Sequence, residues 1–220
     1  MEEEWPDEIS NGQTGQKPLC APALFKKYFH REALEHYGKK GIKFEVDTAN
    51  KGFLGHFCRY WNQDPRFEIV EGISRRKGLF VFGGYGTGKT SGFKIIREIS
   101  KRYGVKELWF PSISAQEVVA KYNCSRNKEE VIAYYSKGVF LFDDLGSETV
   151  GNNVYQYGKE EIFIRILLAR YRNFENNGIK THITTNLNLP QISDRYGKQI
   201  SDRFVRMFNQ LRLDGPSRRK

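Results

Sequence analysis

The 220-residue chain carries 36 Lys and Arg against 26 Asp and Glu, a formal charge of +10, and 39% of its residues are apolar. That length allows one ordinary domain plus a modest extension. The apolar share supports a core, yet no run approaches the roughly 18 residues that would mark a membrane span. The excess of positive charge favours contact with nucleic acid through its phosphates and counterion release, with a merely soluble basic surface as the plain alternative. Three widely spaced cysteines, Cys20, Cys58 and Cys124, form no C-x-x-C pair. They argue against a disulfide scaffold or zinc site and for a reducing compartment. The acidic start Met1-Glu2-Glu3-Glu4-Trp5 has no apolar stretch behind it, so no signal peptide is expected and the location expected is cytoplasmic.

Residues 1–20 have the composition of a disordered segment. Residues 22–37 predict a basic amphipathic helix with Leu24, Phe25, Tyr28, Phe29 and Leu34 on a broad face and Lys26, Lys27 and Arg31 beside it. Such a face docks on a partner or, more commonly, packs against its own domain. Gly38 to Gly41 predict a turn. Residues 53–61, rich in aromatics, predict a short helix at the edge of the core, ended by Asn62-Gln63-Asp64-Pro65. Residues 1–75 thus read as an N-terminal extension, and residues 76–220 as the main domain.

That domain begins with a buried strand, Leu79-Phe80-Val81-Phe82, followed by Gly83-Gly84-Tyr85-Gly86-Thr87-Gly88-Lys89-Thr90. Residues 90–103 then predict a helix with Phe93, Ile96, Ile99 and Tyr103 inward, Lys94, Arg97, Glu98, Lys101 and Arg102 outward, and Gly104 as a left-handed cap. Glycine, four residues, then Gly-Lys-Thr between a strand and a helix is the nucleotide-binding P-loop pattern. A polyphosphate needs many N–H donors at short range, and glycines let the backbone curl around it. The helix N-terminus adds unsatisfied N–H groups and a positive dipole end. Lys89 reaches toward the β- and γ-phosphates in such a loop, and the Thr90 hydroxyl ligates Mg²⁺. A nucleoside triphosphate with Mg²⁺ is the expected ligand.

Further along, Glu107 to Phe110 predict a short strand stopped by Pro111, and Ser114-Ala115-Gln116-Glu117 is a capping box opening a helix through Tyr122. Residues 128–137 predict another helix, with Val131, Ile132 and Tyr135 inward. Val139-Phe140-Leu141-Phe142 is apolar enough for a parallel strand buried on both faces. It delivers Asp143 and Asp144 to its carboxyl end, where open α/β sheets bind ligands. The longest helical pattern covers residues 159–174, and residues 181–185 predict a strand ending at Asn186. Residues 190–196 and 199–208 predict short helices broken at Gly197. Strands alternating with helices after a P-loop imply an α/β fold, a parallel sheet with helices on both faces. The strand order stays open.

An acidic pair at a strand end suits triphosphate hydrolysis: Asp143 to hold Mg²⁺ and Asp144 to polarise the attacking water. A polar Asn186 at the next strand end can orient that water, and Arg203, in Ser201-Asp202-Arg203, can reach a neighbouring subunit's γ-phosphate. Together these stretches resemble the AAA+ ATPases of the DnaC/IstB branch. The resemblance rests on residues 83–90, Leu141 to Glu148 (Leu-Phe-Asp-Asp-Leu-Gly-Ser-Glu), Thr184-Thr185-Asn186-Leu187, Tyr196-Gly197 with Ser201-Asp202-Arg203, and Leu213-Asp214-Gly215-Pro216-Ser217-Arg218-Arg219. It covers the chain from about Arg76 onward. It implies an AAA+ ATPase domain over residues 76–220, ATP and Mg²⁺ as cofactors, hydrolysis between self-associated subunits, and binding of single-stranded DNA. By matching position, Asp143 is the metal ligand, Asp144 the water activator, Asn186 sensor 1, Arg203 the arginine finger, and Arg219 the arginine of the terminal Gly-x-Ser-x-Arg pattern. Asp144 replaces the commoner Glu, which implies slow, stimulated turnover. The end at Lys220 implies a small or absent lid, which puts the sensor-2 role of Arg219 in question.

Members of this branch load the replicative helicase, and the leading expectation is a DnaC-like loader. An IstB-like helper of a transposase is the alternative. A metabolic P-loop kinase would need an acceptor pocket and a basic lid, and offers no reason for the Asp143, Asp144, Asn186 and Arg203 pattern. A binding module without turnover is disfavoured by Lys89, Asp143 and Asp144. Residues 112–137 occupy the place of the branch's single-strand-binding helix, with Lys121, Arg126 and Lys128 set against Glu117, Glu129 and Glu130.

Overall fold

The computed structural model describes residues 17–148 and 161–219. The disorder expected of residues 1–16 and the expected helix start at Lys159 lie outside the described residues. The chain folds into two compact units. One comprises residues 17–75, 86–109 and 213–219; the other, residues 76–85, 110–148 and 161–212.

The second unit holds a five-stranded, all-parallel sheet made of β1 (Gly78–Phe82), β2 (Ser112–Ser114), β3 (Phe140–Leu145), β4 (Thr181–Thr185) and β5 (Phe208–Arg212), in the order β2-β3-β4-β1-β5. Leu79, Phe80 and Val81 are all fully buried, so both alternating faces of β1 are covered. Among the described residues, five helices belong to this unit: α4 (Ala115–Cys124), α5 (Lys128–Ser136), α6 (Ile162–Asn177), α7 (Leu189–Tyr196) and α8 (Lys198–Met207). Their apolar stripes, represented by Val118, Tyr135, Phe163, Ile192 and Phe204, close one core with Phe80, Phe142 and Ile183 of the sheet. The capping box of α4 is complete, with Ser114 and Glu117 each bonding the other's backbone N–H.

Strand β4 is wholly buried although its sequence is Thr-His-Ile-Thr-Thr. Burying hydroxyls and an imidazole is tolerable because each has a hydrogen-bond partner. Arg170 Nε donates to Thr181 Oγ1 at 2.6 Å, and the Leu79 N–H donates to His182 Nδ1 at 3.1 Å. Burial holds His182 neutral, its pKa pushed down to about 3. Arg170 is itself buried and spends its remaining donors on the carbonyls of Tyr135, Lys137, Gly138 and Lys180.

Two elements differ from the sequence reading. Residues 106–108 form a 3₁₀ turn, and the strand lies beyond the proline, at Ser112–Ser114. Pro111 lacks an N–H but keeps a carbonyl, which accepts from Leu141 N–H at 2.9 Å and starts the pairing with β3. The last helix ends at Met207, and Phe208 opens β5 instead. There Asn209 Nδ2 donates to the Gly78 carbonyl at 3.1 Å, a contact between distant residues that helical periodicity does not reveal.

The first unit contains α1 (Pro22–Gly38), α2 (Lys51–Trp61) and α3 (Lys89–Tyr103), with α3 capped by Gly104 in the left-handed conformation as expected. Its core is aromatic: Phe57 meets Phe29, Phe53 and Phe93 at ring separations of 6.1, 5.2 and 5.3 Å. The buried stripe of α1 is Phe25, Phe29, Ala33 and Tyr37, at strict four-residue spacing. Leu24 and Leu34, expected on that face, point outward at 39% and 48% exposure, because they lie off the stripe by about a quarter turn. The helix thus spends its apolar face within its own unit. Among the described residues no helix is long and apolar enough to cross a membrane.

Candidate functional site

The loop of residues 83–90 leaves β1 and runs directly into α3. Gly83, Gly86 and Gly88 have φ of 141°, 74° and 105°, values at which a Cβ is strained. Two of them are also tightly overlaid within the first unit. A Cβ on Gly86 would stand 2.3 Å from Ser217 Oγ, and one on Gly88 would stand 2.8 Å from the Tyr37 hydroxyl. Gly88 is the N-cap of α3, and Lys89 and Thr90 are its first two residues. The loop therefore ends on the unsatisfied N–H groups and positive dipole end of a 15-residue helix. Thr87 and Lys89 are buried, Thr90 is half-buried, Gly84 is exposed, and Tyr85 stands out at the tip.

A C-terminal segment lies on this loop. The Arg218 N–H donates to the Gly86 carbonyl at 2.9 Å, and its guanidinium donates to Asp47 at 2.7 Å. Burial alone would raise the Asp47 carboxyl, but Arg218 and two backbone N–H groups hold it below the usual carboxylate range. Arg219 is exposed. Its positive charge is felt at Lys40.

In the second unit, the parallel strands bring four of the expected residues to one edge of the sheet. Phe82 pairs with Thr185, so Gly83 and Asn186 are the first residues past two level strand ends. On the other side of β4, the register with β3 shifts between Phe142 and Leu145. Asp143 and Asp144 sit in that irregularity, both half-buried, and Asp144 takes φ of 53°. A non-glycine residue at positive φ is costly and persists where its surroundings fix it. Here the fixing is done by Thr184, whose hydroxyl accepts from Asp144 N–H at 3.0 Å and donates to Asp143 Oδ1 at 2.5 Å. Next to it, Thr185 donates to the Leu145 carbonyl at 2.6 Å and accepts from Leu187 N–H at 3.0 Å. Two hydroxyls replace ladder bonds lost at the register shift and set the direction of the acidic pair.

The turn after the pair is also pinned. Gly146 has φ of 92°, and a Cβ there would lie 2.5 Å from Leu187 Cδ1. Glu148 is buried and accepts from the Gly146 N–H at 2.9 Å and from the Tyr196 hydroxyl. Arg195 donates to the Glu148 carbonyl at 2.9 Å. Burial and the neighbouring Glu148 carboxylate push the Tyr196 hydroxyl well above its ordinary pKa. Arg203, on α8, lies with its guanidinium 4.9 Å from the Tyr171 ring of α6. The carboxyl edge of the sheet thus gathers Gly83, Asp143, Asp144 and Asn186, while Arg203 rests on an aromatic ring of its own chain.

Thr184, Thr185, Glu148, Tyr196 and Arg218 enter the sequence reading only as carriers of the resemblance, with no role, and Arg195 and Asp47 do not enter it. Thr184 and Thr185 carry a faint signal, two hydroxyl side chains in a strand flanked by apolar strands. Asp47 and Arg218 lie 171 residues apart and carry none.

Among the described residues there is no cluster of three or more His, Cys, Asp or Glu that would hold a metal by protein ligands alone. A P-loop cation is held differently, by one hydroxyl, a carboxylate and phosphate oxygens. Thr90, in the first unit, carries such a hydroxyl, Asp143, in the second, carries such a carboxylate, and the glycine loop with its helix N-terminus suits a polyphosphate.

No family model matches the chain, and no curated protein matches it in sequence. Solved structures do resemble it. The crystal structure of DnaI matches with a TM-score of 0.55 at 21% identity, over 83% of this chain and 93% of that one. The DnaC helicase loader matches with a TM-score of 0.52 at 18% identity, over 86% and 99%. The replication initiator DnaA bound to AMPPCP and single-stranded DNA matches at 0.51 and 16% identity, over 79% and 49%. The chain shares the α/β fold of these proteins, a five-stranded parallel sheet with helices.

Proposed function

We infer that this chain is an ATP-dependent accessory protein of DNA replication, a DnaC-like helicase loader that binds ATP with Mg²⁺, hydrolyses it and binds single-stranded DNA. The observation that carries the reading is the glycine loop of left-handed backbone ending on the N-terminus of α3, with Lys89 as the first helical residue. The neighbours add support: DnaC is a helicase loader, and DnaA of the same fold was solved with AMPPCP and single-stranded DNA.

On this reading the loop N–H groups and Lys89 hold the β- and γ-phosphates, and Thr90 and Asp143 hold Mg²⁺. When bound there, Mg²⁺ would supply positive charge against that developing on the phosphates. Asp144, its backbone N–H held by Thr184, polarises water, and Asn186 orients it. Arg203 completes the site of a neighbouring subunit after leaving the Tyr171 ring, and the segment with Arg218 and Arg219 covers the loop.

The test is steady-state Mg²⁺-ATP hydrolysis with and without single-stranded DNA. Asp144→Asn is expected to bind ATP as the wild type does while turnover falls about 10²- to 10⁴-fold, the usual contribution of a positioned acid–base group. Unchanged turnover in Asp144→Asn would remove the acidic pair from the mechanism.

A further inference from the structure

The outer face of α3 carries Lys94, Arg97 and Lys101 at spacings of three and four, which places them in one row. They line a groove of about 400 Å³ between α1 and α3, within the first unit. Its glutamates are already engaged. Arg102 pairs with Glu32 at 2.9 Å and also with Glu35, Lys39 pairs with Glu35 at 2.8 Å, and Lys101 pairs with Glu98 at 3.0 Å. Lys94 and Arg97 form no ion pair among the described residues, and Arg97 Nε is buried without a hydrogen-bond partner. At the end of the groove nearer the P-loop the positive potential is high enough to act on its neighbours. Burial first, then Lys94 and Arg219, hold the Lys40 ammonium below its ordinary pKa. Burial, Lys40 and Lys94 do the same to His36.

The row ends on an aromatic. Trp109 is 47% exposed, with the Arg97 guanidinium 4.8 Å and the Lys101 ammonium 5.8 Å from its ring. An indole left open to solvent beside Arg97, which forms no ion pair among the described residues, and Lys101, which pairs with Glu98, has the two parts of a single-strand site. Cations follow the phosphates, and a π-face stacks a base whatever its identity. Duplex DNA keeps its bases stacked inside and has no use for the indole. An acidic peptide would use the cations alone. The segment expected by position to hold single strands is less well equipped. There Lys128 donates to the carbonyls of Tyr122 and Asn123, both at 3.3 Å, and lies 4.9 Å from the Tyr122 ring, so it caps α4.

We propose that the α1–α3 groove binds single-stranded nucleic acid, with phosphates on Lys94, Arg97 and Lys101 and one base on the Trp109 indole. The choice of single strands deepens the function inferred above and rests on it; the place of binding rests on this groove. The experiment is fluorescence anisotropy of a labelled dT homopolymer titrated with the full chain across a salt series, with ATP binding measured in parallel. Trp109→Ala is expected to weaken binding at least about fivefold, and Trp109→Phe to keep most of the affinity, because the stacking face remains. Lys94→Gln with Arg97→Gln is expected to flatten the slope of log affinity against log salt by about 1.4, the loss of two single-strand phosphate contacts. All three variants are expected to bind ATP normally. If the wild type binds dT and these variants match it, the groove is not the site, although the ATP and DNA reading stands. If the wild type binds ATP but no single strand at any salt, the groove proposal and the DNA part of that reading both fail. Displacement of dT by polyglutamate at equal charge, with Trp109→Ala unaffected, would assign the groove to an acidic protein and overturn the nucleic-acid proposal. Should Trp109→Ala misfold, Trp109→Phe and the double Gln variant carry the test.

Discussion

The phosphate loop and the acidic strand are built by different means. The loop's shape comes from its own residues: three glycines at positive φ and the start of α3. The acidic pair gains its direction from another strand. Asp143 and Asp144 stand in a register shift, and it is Thr184, 40 residues on, that holds the N–H of one and the carboxylate of the other. One region is local and readable in eight consecutive residues; the other exists only after β3 and β4 have paired. Damage to the first should act on binding, and damage to the second on turnover and stability.

That contrast can be broken most strongly at Thr184. Thr184→Val keeps the branched shape and removes the hydroxyl, leaving the Asp144 N–H and the Asp143 carboxylate short of a partner. Losing a hydrogen bond to a charged group costs about 1.5–3 kcal/mol. Turnover is expected to fall at least tenfold with ATP affinity within a factor of about three, read by steady-state hydrolysis and calorimetric titration. Equal loss of both would place the acidic pair in the binding step. A smaller effect is expected at the turn that follows. Gly146→Ala meets Leu187 and a φ of 92°, so urea unfolding is expected to show a loss of about 1–3 kcal/mol. Wild-type stability in this variant would mean that the turn relaxes freely.

A pH-dependent effect sharpens the account of β4. His182 is neutral when folded, its pKa pushed down to about 3, whereas the unfolded side chain titrates near 6.5. Between those values the unfolded chain binds a proton that the folded chain refuses. Stability is therefore fully present above about pH 6.5 and lost as pH falls toward 3, with a slope of up to about 1.4 kcal/mol per pH unit from this residue. His182→Gln is expected to flatten that part of a pH series of urea midpoints. An unchanged slope would assign the acid sensitivity to other groups.

Legibility in the sequence follows the same division. The strand, loop and helix of residues 78–104 are where spacing and glycines put them, and the Ser114–Glu117 capping box forms both of its bonds. Each is decided within a few residues. The strand after Pro111 was misplaced because the apolar run before it reads as a strand, while its pairing starts from the proline carbonyl. Phe208–Arg212 was missed because β5 is defined by its partner β1 rather than by its own pattern. The ties of Glu148 to Tyr196, buried, and of Asp47 to Arg218, half-buried, join residues 48 and 171 positions apart, beyond any periodicity. The acidic pair was readable as residues, but its Thr184 clamp was not.

The central claim is that residues 83–90 hold a nucleoside triphosphate, and calorimetric titration of ATP into the full chain with Mg²⁺ tests it most directly. The wild type is expected to bind one ATP per chain. Lys89→Ala, which removes the cation facing the phosphates, is expected to lose on the order of a hundredfold in affinity, as when one partner of a buried charge pair is truncated. A wild type that binds no nucleotide, or a Lys89→Ala chain that titrates like the wild type, would contradict the account.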